Sequence, residues 1–218
     1  MASVTTADLA RFFEQLGVLK VQSLESASEQ APAFNIFRLL GIHRKEDETH
    51  SVILADLLNP LGRHGQGVLF LKAFLECCSN KYQNDILSFP KLTGGFVKTG
   101  WYVQREVMAG SGRLDIVIGN PTQGYRLVIE NKIGAAERFD QIHKYHQWLT
   151  KSKQFYPYCA LIFLTPTGRT ADSGEKNTYF PMSYHHDIAA WLTDTLPKIK
   201  AEHVYFTVKQ YITLVSSI

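Results

Sequence analysis

Gly112-Arg113-Leu114-Asp115-Ile116-Val117-Ile118, and after it Leu127-Val128-Ile129-Glu130-Asn131-Lys132, decide the fold, because each sets an acidic residue inside an otherwise apolar strand. Side chains alternate faces along a strand, so Glu130 and Lys132 share one face while Asn131 points the other way. On the preceding strand Arg113, Asp115 and Val117 share one face and Leu114, Ile116 and Ile118 the other. Pairing the two strands brings Asp115 beside Glu130.

Working outward, Tyr102 to Met108 is a third strand-like run. The three runs are separated by Ala109-Gly110-Ser111-Gly112 and by Gly119-Asn120-Pro121-Thr122-Gln123-Gly124, which predicts strands in hairpin succession. An amphipathic helix is expected over about Ala136 to Leu149, then the strand Tyr158 to Leu164, a short strand and helix between Tyr179 and Leu196, and a last helix over about Val204 to Ser216. Upstream, residues 5 to 58 read as mostly helical, with Asp8 as a cap and Gly17 as a stop for the first helix. Val68 to Cys78 is a further helix with a core stripe of Leu71, Phe74, Leu75 and Cys78. Between these segments Leu61-Gly62-Arg63-His64-Gly65-Gln66-Gly67 is a loop whose glycines let backbone approach a ligand.

Composition bounds the class. The 218 residues are 45% hydrophobic and 20% charged, the balance of an ordinary globular protein. No apolar run is long enough for a membrane span and the amino terminus lacks a secretory layout, so a cytoplasmic protein with no membrane partner is expected. Cys77, Cys78 and Cys159 are odd in number and two are adjacent, which suggests buried thiols rather than disulfides or zinc ligands. A formal net charge of +3 permits a polyanion partner without arguing for one.

Two carboxylates about 4 Å apart repel by roughly 4 kcal/mol at an effective dielectric near 20. A divalent cation offsets that cost, and oxygen ligands suit magnesium better than zinc. Such an ion polarises a phosphoryl oxygen and acidifies water, and Lys132 is placed to orient that water or to stabilise transition-state charge. An acidic residue, any residue and a lysine recur by chance about once in a chain of this size. Position therefore carries the argument: Glu130-Asn131-Lys132, the one occurrence here, ends a hydrophobic strand. The plainer reading, a solvated strand end and an edge carboxylate, stays open from spacing alone.

These two strands and the helix after them resemble the signature of the PD-(D/E)XK nuclease superfamily. The resemblance covers about residues 45 to 165. It implies an α/β restriction-endonuclease-like core with a central mixed sheet flanked by helices and an added N-terminal helical layer. It assigns metal binding to Asp115, Glu130 and the Asn131 carbonyl, and assistance to the attacking water to Lys132. Leu114 stands where a proline often precedes the aspartate. Gln141-Ile142-His143-Lys144-Tyr145 is similar to the glutamine-and-tyrosine motif of the exonuclease-like branch, so Gln141 and Tyr145, four apart and on one helical face, join the candidate site. The expected core stripe of that helix, Phe139, Ile142, His146 and Leu149, leaves both off the centre of its buried face.

Glu48-Thr49-His50-Ser51 with Asn59-Pro60 and His64-Gly65-Gln66-Gly67 resembles the amino-terminal part of an uncharacterised branch. There Glu48 is the candidate for an extra metal ligand, weighed against a carboxylate that merely meets a helix dipole. Glu106 is a further acidic candidate, weighed against a solvent-facing side chain. Trp101, Tyr102, Trp148 and Tyr156 read as core aromatics before base-stacking ones.

The expectation is a single domain over residues 1–218, with a helical part at 1–80, the catalytic core at 101–165 and a C-terminal helical part at 179–218. Its reaction would be Mg2+-dependent hydrolysis of phosphodiester bonds in nucleic acid, DNA before RNA, with Mn2+ as a substitute ion. The alternative is an inactive nuclease-fold subunit, binding or regulatory, of a defence or repair assembly. Sequence-specific cutting would require loops 61–67 and 166–178, a homodimer or a partner subunit, since base readout needs dedicated side chains.

Overall fold

A computed structural model describes residues 9, 11–21, 31, 33–83, 89–90, 95–110, 112–175 and 177–218. Five strands form one sheet in chain order: β1 (Tyr102–Ala109), β2 (Gly112–Asn120), β3 (Tyr125–Asn131), β4 (Tyr158–Thr165) and β5 (Phe180–Ser183). β1, β2 and β3 are an antiparallel meander, whereas β4 lies parallel to β3 and β5 parallel to β4. Tight turns suffice for the meander. A parallel neighbour needs a crossover, and α5 (Gln141–Ser152) supplies it between β3 and β4.

The other helices among the described residues are α1 (residues 11–21), α2 (Ile36–Leu39), α3 (Ser51–Leu58), α4 (Leu69–Lys81), α6 (Ala189–Thr195) and α7 (Glu202–Val215). Each of α3 and α6 is entered through a π-helical turn, Glu46–His50 and Tyr184–Ile188. Asp8 lies outside the described residues, and α1 runs on through Gly17 instead of stopping there. Among the described residues no helix is long and apolar enough to cross a membrane.

Strands covered on both faces read as nearly unbroken apolar runs, and β2 to β4 do. One face carries Ile116, Ile118, Leu127, Ile129, Ile162 and Leu164 into a core built with α3, α4, α6 and α7. The reverse face carries Val117, Val128, Leu161 and Phe163 against Ile142, Tyr145 and Leu149 of α5. The expected helical stripe is thereby corrected. α5 starts at Gln141, so Phe139 falls in the loop before it, 92% exposed, while Gln141 and Tyr145 are buried. A left-handed Asp140 (φ 57°) turns the chain between loop and helix.

Cys78 is buried and Cys77 and Cys159 are half-buried, all three as free thiols. Trp101 stacks on Phe96 within the core, and the Arg126 guanidinium lies against the rings of Tyr156 and Trp148.

Candidate active site

The β2–β3 ladder runs from Asn120↔Tyr125 to Ile116↔Ile129. One step further along the same register, Asp115 stands opposite Glu130, and Asn131 N–H donates to Asp115 Oδ2 at 2.7 Å. Lys132 follows on the Glu130 face, and its Nζ lies 2.8 Å from Glu130 Oε1. The Nζ also donates to the Asn131 carbonyl at 3.3 Å. The acidic pair, the lysine and the carbonyl thus meet where two strands end, as strand alternation requires.

α5 closes the cluster from above. Gln141 Nε2 donates to Glu130 Oε1 at 2.6 Å and to the Tyr145 hydroxyl at 3.0 Å, and that hydroxyl donates to the Arg113 carbonyl at 2.8 Å. The ring of Tyr145 reaches this position only because Gly112 has no side chain: a Cβ there would lie 2.7 Å from Tyr145 Cε1. Glycine and tyrosine are one packing device holding β2 under α5.

From the other side comes Glu46. Its Oε2 accepts Ile133 N–H at 2.6 Å and its Oε1 lies 3.3 Å from Lys132 Nζ. Glu48, the residue expected here, is corrected by the structure: its side chain is 70% exposed and paired with Lys45. The physical reason is the π-helical turn, closed by His50 N–H donating to the Lys45 carbonyl, which turns Glu46 rather than Glu48 toward the sheet. An ordinary helical reading of Arg44-Lys45-Glu46-Asp47-Glu48 places the wrong carboxylate inward; a π-turn just ahead of a helix is a recurrent mark of functional sites. Glu106 also stays outside the cluster, exposed and beside Arg105 and Arg113.

Burial is the main cause of an upward displacement at both carboxyls. It lifts Asp115 to about 6 against the pull of Asn131 N–H and Lys132. Glu130 is pushed further, to about 8, by burial and then by the Asp115 charge. Burial works against the Lys132 charge, yet Glu130, Glu46 and Asp115 outweigh it and hold the ammonium above its ordinary range. Glu130 is 0% exposed, and its second oxygen, Oε2, is buried without a hydrogen-bond partner.

The sequence profile of a family in the PD-(D/E)XK nuclease superfamily matches residues 34–213. The chain belongs to that superfamily. Neither the curated proteins nor the solved structures contain a match to it. The five-stranded mixed sheet with its flanking helices is accordingly a restriction-endonuclease-like fold, and the membership supports a nuclease-type function. PD-(D/E)XK nucleases typically use divalent metal ions. The residues present suit such an ion: a buried carboxylate oxygen without a partner, two carboxyls raised by burial, and oxygen donors throughout. Among the described residues no three His, Cys, Asp or Glu side chains converge as a metal site.

Proposed function

We propose that the protein is a magnesium-dependent nuclease that hydrolyses phosphodiester bonds, with DNA as substrate. The observation that supports this reading most is the Asp115–Glu130–Lys132 cluster with Glu130 Oε2 left unpartnered. Asp115, Glu130 and the Asn131 carbonyl would hold the ion, which supplies charge neutralisation and Lewis acidity at the scissile phosphate. The chain's own groups do the rest. Lys132, kept protonated by its carboxylate neighbours, donates a hydrogen bond to the attacking water and stabilises negative charge gathering on the phosphorane oxygens. Gln141 fixes the Glu130 carboxylate, so that its free oxygen points to one place. Tyr145 fixes Gln141 in turn, and Glu46 restrains the lysine from the side opposite Glu130. Ionised carboxylates are needed, so binding of the ion becomes easier as pH rises toward 8.

The test is cleavage of linear, circular and single-stranded DNA and of RNA, with and without magnesium, by the wild type and by Lys132→Ala. We expect DNA to be cut only with magnesium. The lysine variant should lose about a thousandfold in rate, the upper end for a lost transition-state donor, with an unchanged far-UV spectrum. Asp115→Ala should in addition weaken magnesium binding by calorimetry. Wild-type turnover by either variant would refute the site. DNA binding with no cleavage by the wild type would point to an inactive nuclease-fold subunit.

A further inference from the structure

On the face of the sheet away from Asp115 and Glu130 lies a cavity of about 690 Å³ between α3, β1 and α7. Register defines the face: in β1, Val103 pairs with Ile118 and Arg105 with Ile116, neighbours whose side chains enter the helical core. Its size falls within the range of small-molecule sites. The walls are apolar where α3 and α7 face each other, with Val52 and Ile53 on one side and Val204 and Val208 on the other. Two arginines line it, against one carboxylate. That carboxylate, Asp56, is engaged by Arg63 N–H at 3.0 Å.

Among the described residues no carboxylate pairs with the Arg63 guanidinium. Arg105 donates through Nη2 to the Asp47 carbonyl at 2.7 Å and lies 3.6 Å from Glu106, yet its Nε is buried without an acceptor. A buried donor without a partner is rare in folded proteins and calls for an explanation. Asn59, His203 and Thr207 add hydrogen-bonding groups to the lining. The combination of apolar walls, two arginines and polar edges suits a hydrogen-bonding body that has an apolar face and carries one anionic group.

We propose that this cavity is a second ligand site, specific for a nucleoside monophosphate. The phosphate lies on Arg105 and Arg63, and the base lies between the valines of α7 and the α3 wall. The choice of a nucleotide among such anions rests on the nuclease reading above. Because the same guanidinium holds the Asp47 carbonyl, the ligand sits next to the turn that carries Glu46.

Isothermal calorimetry in EDTA tests the site with the carboxylate cluster unable to capture phosphate through a metal. Deoxyadenosine monophosphate should bind once per chain with a Kd below ~1 mM, and deoxyadenosine and inorganic phosphate at least about tenfold more weakly. Arg105→Gln should weaken the nucleotide about tenfold and Val204→Phe should abolish its binding by filling the cavity. Arg63→Gln, at an exposed position, should cost a few-fold with an unchanged melting temperature, so a folding defect cannot imitate the result. No heat with the nucleotide, equal affinity for phosphate alone, or binding indifferent to Val204→Phe and Arg63→Gln would overturn the proposal. Cleavage assays do not enter this readout. A protein that cuts DNA and fails here loses only the second site, while one that binds here and never cuts loses only the nuclease reading.

Discussion

Glu130 and Asn131 are neighbours on β3, both 0% exposed, and their side chains leave opposite faces of the sheet into opposite kinds of environment. Glu130 meets a second carboxyl and a lysine, with one oxygen unpartnered. Asn131 meets a satisfied neutral network: its Nδ2 donates to Ser51 Oγ at 3.1 Å, and Tyr184 O–H donates to its Oδ1 at 3.0 Å. His50 Nε2–H donates to the His43 carbonyl at 2.9 Å, which leaves Nδ1 to accept from the Tyr211 hydroxyl at 2.9 Å. One strand end thus carries a face whose electrostatic cost is left standing and, opposite it, an asparagine whose amide is answered in full. Buried polar networks are stabilising when satisfied and costly when not, so the two faces should respond to substitution with opposite signs.

The largest expected effect is on the satisfied face. Asn131→Leu keeps the branched shape but leaves Ser51 Oγ buried without its partner, at about 2 kcal/mol, takes one of two partners from the Tyr184 hydroxyl, which retains Tyr211, at about 1 kcal/mol, and adds about 1 kcal/mol of overpacking by the bulkier side chain. Urea unfolding should therefore show a loss of about 4 kcal/mol at every pH between 5 and 8. A loss under 1 kcal/mol would mean that the network does not support β3.

Next is the pH dependence of the unsubstituted protein in EDTA. Asp115 and Glu130 take protons more readily when folded, with values of about 6 and about 8, than at their ordinary 3.8 and 4.5. Between those limits the folded state holds more protons than the unfolded one, so stability falls as pH rises. Lys132 stays charged throughout that window and contributes no slope. Chemical denaturation should show stability dropping by a few kcal/mol between pH 5 and 8, given about 1.4 kcal/mol per pKa unit. Saturating magnesium should remove most of the slope. A flat profile in EDTA would contradict the frustrated-face reading.

The two faces were also unequally legible. Alternation of side chains along β2 and β3 was enough to predict that Asp115, Glu130 and Lys132 share a face, because strand period is a local property of sequence. Four-residue spacing likewise predicted Gln141 and Tyr145 together, though not their burial: α5 begins later than its apolar pattern suggests, behind a left-handed Asp140 that periodicity cannot register. Glu46 was hidden for a related reason. A π-turn changes which of three neighbouring acids faces inward, and local composition is almost blind to it. The Asn131 network joins residues from four separated segments, so nothing in any one of them announces it.

The smaller effects sharpen the charged face. Glu130→Gln removes the ionisation cost while keeping the shape, and Lys132 retains Glu46 as a counter-charge. It should stabilise the metal-free protein by about 2 kcal/mol at pH 8 and by almost nothing at pH 5, where the native carboxyl already carries its proton. Activity should be lost at both. The opposite sign from Asn131→Leu, one residue away, is the critical result: destabilisation at pH 8 would mean that the Glu130–Lys132 ion pair outweighs the burial of the charge.

Tyr145→Phe is the mildest change proposed. The Gly112 contact survives, since the ring stays, and only the hydroxyl that accepts from Gln141 and donates to the Arg113 carbonyl is lost. Gln141 keeps Glu130 and Arg138 N–H as partners, so stability should fall by about 1 kcal/mol. If Tyr145 acts only by holding Gln141, kcat should drop a few-fold with KM and the metal affinity nearly unchanged. A KM increase without a kcat change would instead place the hydroxyl on the substrate.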